Sequence, residues 1–260
     1  MNIHTTIKNI WRIAAAGLIL AMVQGCAVGR NPADPLENFN RSVFSFNDGV
    51  DRAILKPVAT AYRDITPSPV RTGVTNFFSN IGDVWSLVNN VLQAKPKESV
   101  ETLMRISFNT ILGFGGVFDI ATEMRLQKHP EDFGQTLGYW GMGPGPYVVL
   151  PLLGPSDLRD TIGTAVDLNT DLVTRTDRVP VRNTLTTLRV VNTRANLLGA
   201  GDLVDQAALD KYSFTRDAYL SRRSSLIGRD SAPVEERFDL PEGAAPAAGA
   251  APASKPPAAK

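Results

Sequence analysis

Between positions 36 and 112 apolar residues recur at spacings of three and four, the period of one face of an α-helix. Leu36, Phe39, Val43, Phe46, Val50 and Ile54 form a first stripe, with Phe44 standing on another face. Asp34-Pro35-Leu36-Glu37 opens it. Asp34 can cap, Pro35 suits the first turn, and Glu37 follows the cap by three residues. Thr66-Pro67-Ser68-Pro69 then breaks the chain. Val74, Phe77, Phe78, Ile81, Trp85, Val88 and Leu92 make a longer stripe that predicts a helix over 70–93. Val100, Leu103, Met104, Phe108, Ile111 and Leu112 predict another, stopped by Gly113. Helices are further predicted over 157–168, 182–198 and 202–229. Tyr147-Val148-Val149-Leu150 is the one good strand candidate, curtailed by Pro151. The fold class is mostly α, a single helical domain over 34–239.

The two ends read differently. Residues 1–12 carry Lys8 and Arg12 and no acid, followed by the uncharged run IAAAGLILAMV and then Gln24-Gly25-Cys26. Eleven apolar residues span only about 16 Å as a helix, half of what a bilayer core needs. Residues 1–25 are therefore a signal peptide. Cys26, the only cysteine, stands where a bacterial lipoprotein signal places the thiol that takes diacylglycerol, and acylation there anchors the chain stably. Residues 26–33 form a lipidated tether, and Ala27 carries no inner-membrane retention signal, so the address is the periplasmic face of a Gram-negative outer membrane. At the far end, 240–260 is rich in proline and alanine and predicts an extended, disordered tail.

Composition removes several functions. Lysine and arginine number 27 against 26 acids, and removing Lys8 and Arg12 with the signal leaves 25 against 26. A chain near −1 is no nucleic-acid binder. One cysteine and two histidines exclude disulfide scaffolds and Cys/His zinc sites, so no metal or cofactor is called for. His129 lies between Lys128 and Pro130, no Gly-x-Ser-x-Gly elbow occurs, and Glu131-Asp132 reads as loop charge; the chain is not read as an enzyme.

Glycine and proline concentrate in Gly141-Met142-Gly143-Pro144-Gly145-Pro146. This is no phosphate cradle: the Gly-Lys-Ser/Thr ending is missing and two of the residues have no N–H. A tight apolar hairpin loop is the better account, with Gly141 and Gly143 free to take positive φ.

Asp34-Pro35-Leu36-Glu37-Asn38-Phe39-Asn40-Arg41 with Phe46-Asn47 resembles the opening of the MlaA/VacJ lipoprotein family. So do Asn109-Thr110-Ile111-Leu112-Gly113 with Gly115-Gly116 and Asp119, Phe133-Gly134-Gln135-Thr136-Leu137-Gly138, and the run 141–154 followed by Leu158-Arg159-Asp160. The resemblance covers about residues 26–220, leaving out the tail and the weakly patterned stretch 171–190. It implies a ring- or disc-like helical body with a central polar channel, set in the inner leaflet of the outer membrane. Such a protein binds a trimeric porin, removes misplaced phospholipid from the outer leaflet, and hands it to a soluble periplasmic lipid carrier. Residues 141–146 correspond to the loop that gates the channel. A disc in one leaflet needs apolar residues on many faces; Phe44, Phe77, Phe78, Phe114, Phe118, Trp140 and Tyr147 can supply them. Asn40, Asn47, Asn89, Asn90 and Asn109 are candidates for the polar lining.

Overall fold

The computed structural model describes residues 34–228; the signal, Cys26, the tether and the tail lie outside them. Helix α1 (Glu37–Val50) runs through a single wide π-helical turn (Asp51–Leu55) into α2 (Lys56–Ile65), so the first stripe continues as helix well past Ile54. Thr66 is extended and Pro67 restarts the chain as α3 (Ser68–Leu92). Ala94, at φ +52°, turns it into α4 (Pro96–Ile111), which packs along α3. Two short helices follow, α5 (Ile120–Glu123) and α6 (Phe133–Tyr139), capped by the side chains of Asp119 and Asp132.

Strands β1 (Tyr147–Leu150) and β2 (Gly154–Asp157) pair antiparallel, Tyr147 opposite Asp157 and Leu150 opposite Gly154. The turn between them is 151–153, with Leu152 at φ +63°. Residues 141–146 lead into the hairpin rather than forming its tip. Helix α7 (Leu158–Thr170) starts directly from β2 on an Asp157 cap, and α8 (Val179–Asn196) packs on α2 and α3. The predicted helix over 202–229 is two helices, α9 (Leu198–Ala207) and α10 (Lys211–Gly228). The break falls where Ala208 turns extended and Asp210 accepts from the Tyr212 N–H.

Burial is inverted relative to a water-soluble bundle. Among the described residues nineteen polar or charged side chains are buried against eight hydrophobic ones. The buried face of α3 is Gly73, Asn80, Asp83, Ser86, Asn89 and Asn90, and that of α4 is Thr102, Arg105 and Asn109. The apolar stripe that predicts α4 points outward, with Leu103 52% exposed and Ile111 78%, while that of α3 is half-buried to exposed; Ile65 and Phe114, outside both stripes, are also exposed. Phe118 and Trp140 are exposed too, whereas Tyr147 is core. Only two small hydrophobic clusters occur among the described residues, Ala59 with Ala195 and Leu198, and Tyr147 with Val149 and Tyr212.

Candidate functional site

The loop 141–146 hangs between two anchored ends. On its N-terminal side α6 stops at Trp140, whose indole N–H donates to the Leu92 carbonyl at 3.2 Å. Gly141 follows at φ +93° with open space around it, and Gly145 sits at φ +69° against Leu158. Gly143 is not among the positive-φ glycines, so the left-handed positions are Gly141 and Gly145. Met142 is exposed, and all six residues of the loop face outward. On the C-terminal side the Pro144 and Pro146 carbonyls accept from the Arg159 and Leu158 N–H groups, both at 3.2 Å.

Two asparagines of α1 hold the hairpin behind the loop. Asn40 accepts from Val149 N at 2.9 Å and donates to the Tyr147 carbonyl at 3.0 Å. Asn47, two turns on, accepts from Leu152 N at 2.8 Å and donates to the Leu150 carbonyl at 2.9 Å. A side-chain amide carries the same donor and acceptor as a peptide group, so the pair stands in for a neighbouring strand along β1. Asn109 does the equivalent work for α5, accepting from Ala121 N and donating to Asp119. Phe44 packs edge-on against Tyr212, 5.7 Å between centroids. Asn89 and Asn90 are fully buried on the inner face of α3, Asn89 accepting from Thr136 and Asn90 donating to the His129 carbonyl.

Asp34 does not cap α1; Leu36 stands at the cap and no side chain bonds there. Asp34 is wholly buried instead, taking the Asn40 amide at 2.9 Å, the Tyr212 hydroxyl, and Arg216 at 3.5 Å. A buried carboxylate is held by such charged and hydrogen-bonded partners, and these outcompete a helix cap.

A second charged knot lies under the loop. Asp160 meets Arg159 at 2.9 Å, Arg223 at 2.5 Å and the Tyr219 hydroxyl at 2.5 Å, while Arg223 also reaches Asp132 at 2.6 Å. Burial pushes the Asp132 and Asp160 carboxyls upward, but the Arg223 guanidinium outweighs it and holds both below the usual carboxylate range. Asp157 and Asp167 go the other way, raised by burial. Burial also pushes the Tyr147 phenol up to about 12. The knot needs close backbones: a Cβ at Gly163 would lie 2.4 Å from the Gly134 nitrogen. A third knot joins Arg105, only 2% exposed, to Asp119 at 3.1 Å and the Leu126 carbonyl at 2.7 Å, with Asp83 at 3.8 Å.

Leu158-Arg159-Asp160 and Asp119 stand out in the sequence, but Arg105 and Arg223 give no signal there. A lone arginine in a helical stretch looks the same whether its partner is water or a carboxylate far along the chain. His129 is paired with Glu101 at 2.6 Å, and the hydrogen bond with the imidazole holds the Glu101 carboxyl low. No group of three or more metal-ligating side chains is brought together among the described residues. No described helix is long and apolar enough to cross a membrane.

A helical body with ion-paired interior knots, an apolar outer surface and a glycine-rich loop on a clasped hairpin carries its polar groups inside and its apolar side chains outside. Sequence comparison gives this class its family: the MlaA lipoprotein family matches residues 32–226, through the stretch 171–190 as well, and the chain belongs to it. The intermembrane phospholipid transport system lipoprotein MlaA of Escherichia coli strain K12 is 38% identical over 231 residues, 83% of this chain and 88% of the relative. That of Haemophilus influenzae is 31% identical over 215 residues, 80% and 84% of the two chains. A chain solved in work on the structural basis for maintenance of bacterial outer membrane lipid asymmetry is 37% identical, with a TM-score of 0.65. The match covers 75% of this chain and 98% of that one.

Proposed function

We propose that this protein removes misplaced phospholipid from the outer leaflet of the outer membrane and passes it toward the inner membrane, maintaining lipid asymmetry. The inverted burial carries the reading. Exposed apolar side chains such as Phe114 and Ile111 are stable against acyl chains, while buried polar groups can serve a headgroup inside. The family relatives are named for intermembrane phospholipid transport. In this reading Cys26 is acylated and anchors the chain to the periplasmic face of the outer membrane, a trimeric porin holds it there, and a soluble periplasmic carrier receives the lipid. The chain moves lipid without cleaving it, and His129 has a structural pairing rather than a catalytic one.

The loop 141–146 gates the lipid path in this proposal. A Cβ at Gly141 or Gly143 would meet nothing within 4 Å, so there is open space for the loop to swing into while its ends stay tied. Valine at Gly141, held at φ +93°, is strained by about 1–2 kcal/mol. The test is outer-leaflet phospholipid in cells lacking the protein and in cells carrying Gly141→Val at normal abundance. Both should accumulate it. Unchanged asymmetry without the protein would reduce it to a scaffold; unchanged asymmetry in Gly141→Val alone would remove the gating role.

A further inference from the structure

We propose that Arg71, the amide cluster beside it and the adjoining apolar groove form a phospholipid-binding site, the guanidinium taking the phosphodiester and the groove an acyl chain. The proposal rests on the lipid-transport reading and gives it a place of first contact.

Arg71 lies on the first turn of α3 and is half-buried. Its Nε is shut off from solvent and has no hydrogen-bond partner. Arg105 and Arg223 also carry a buried Nε without a hydrogen bond, but each is ion-paired, Arg105 with Asp119 and Arg223 with Asp132 and Asp160, as Arg159 is with Asp160 and Arg216 with Asp34. Among the described residues Arg71 has no carboxylate within ion-pair distance. A shielded guanidinium N–H without an acceptor is costly, and an anion meeting the Nε edge removes that cost.

The surroundings are neutral and polar. The Tyr62 hydroxyl donates to Asn192 at 3.1 Å, and Asn192 and Asn196 both donate to the Thr75 hydroxyl, at 2.9 and 3.0 Å. Burial raises the Tyr62 phenol while the charge of Arg71 pulls it back, so the guanidinium's field falls on this cluster. Among the described residues no carboxylate bonds to these four groups, and no ion pair engages Arg71.

The same two helices carry the groove. A cavity of about 760 Å³, beside Arg71, is lined by Val70, Val74, Phe77, Phe118, Leu185 and Leu188, and by Asp119, whose charge is taken by Arg105. Its size is that of a small-ligand site. Val70 and Val74 each precede by one residue the Arg71 and Thr75 of the polar cluster, and Leu188 lies one turn before Asn192. Polar cluster and apolar groove thus run side by side along α3 and α8, matching the two halves of one phospholipid. A bidentate guanidinium–phosphate pair fixes the headgroup, and the groove fixes the chain.

The test uses the full-length chain purified in detergent and native mass spectrometry with three probes: dihexanoyl phosphatidylglycerol, dihexanoylglycerol and inorganic phosphate. The wild type should retain phosphatidylglycerol, and Arg71→Gln should bind it at least about tenfold more weakly, the loss of one charged hydrogen-bonded pair. Arg71→Lys should fall between, and dihexanoylglycerol should not distinguish the variants. Equal phosphatidylglycerol binding by wild type and Arg71→Gln overturns the assignment and leaves the transport reading standing. No phospholipid binding by the wild type overturns both. Binding of inorganic phosphate that is lost in Arg71→Gln, with lipid binding intact, makes this a free-anion site and overturns the lipid assignment. If Arg71→Gln does not fold, phenylglyoxal labelling of the wild type decides. Phosphatidylglycerol should protect Arg71 and dihexanoylglycerol should not; equal labelling with both overturns the proposal.

Discussion

Asp160 accepts from two arginines and a tyrosine, and its side chain is 6% exposed. Replacing it by asparagine leaves Arg159 and Arg223 short of a counter-charge in a dry place. Breaking one side of such a pair costs about 3 kcal/mol, read as a lowered thermal midpoint with near-native circular dichroism below it. The pH dependence carries the same signature. Asp132 and Asp160 sit below the ordinary carboxylate value in the folded state, so their contribution is complete above about pH 4 and is lost as pH falls through their folded values. Asp157 and Asp167, raised by burial, act with the opposite sign, weakening the fold as pH rises through their elevated values. Urea titrations from pH 5 to pH 2 should show a shallower acid limb in Asp160→Asn than in the wild type.

At the scale of elements, the two asparagines on α1 have unequal weights. Asn40 is fully buried and serves Val149, Tyr147 and Asp34, whereas Asn47 is only half-buried and the Leu152 N–H it accepts is near water. Alanine at Asn40 should cost about 3 kcal/mol and at Asn47 about 1 kcal/mol, because an orphaned buried donor pays its full desolvation. Amide exchange at Val149 should accelerate far more in the first variant than in the second. The sequence made most helices legible, since the stripes of α1, α3 and α4 mark an amphipathic period whichever way it faces. It could not tell which face is inside. Periodicity locates a stripe; the surrounding solvent decides whether Ile111 or Asn109 is hidden. Strand β2 was illegible because Gly154-Pro155 reads as a loop and pairs only through β1. The α9–α10 break is illegible because Ala208 and Leu209 are good helix formers, and the Asp210 contacts at the break exist only in three dimensions.

For the whole molecule, the apolar periphery sets where it can rest. A chain carrying Cys26→Ser should take up no fatty-acid label, yet still partition into vesicles through its exposed apolar side chains. Adding Phe114→Asp should weaken that partitioning by about tenfold or more, because a buried aromatic contributes about 2–3 kcal/mol. Flotation with vesicles measures it, and unchanged flotation would mean that this face does not touch lipid. The clasp around Asp34 has a consequence in time. Asp34 waits for Tyr212 and Arg216, 178 and 182 residues downstream, and Asn40 for Tyr147 across 107. Loop-closure entropy grows only slowly with length, so the long tie is little harder to hold than a short one. It is only later. A chain emerging N-terminus first has its opening helix ready while the residues that lock it are still unmade, and the fold shuts when α10 arrives.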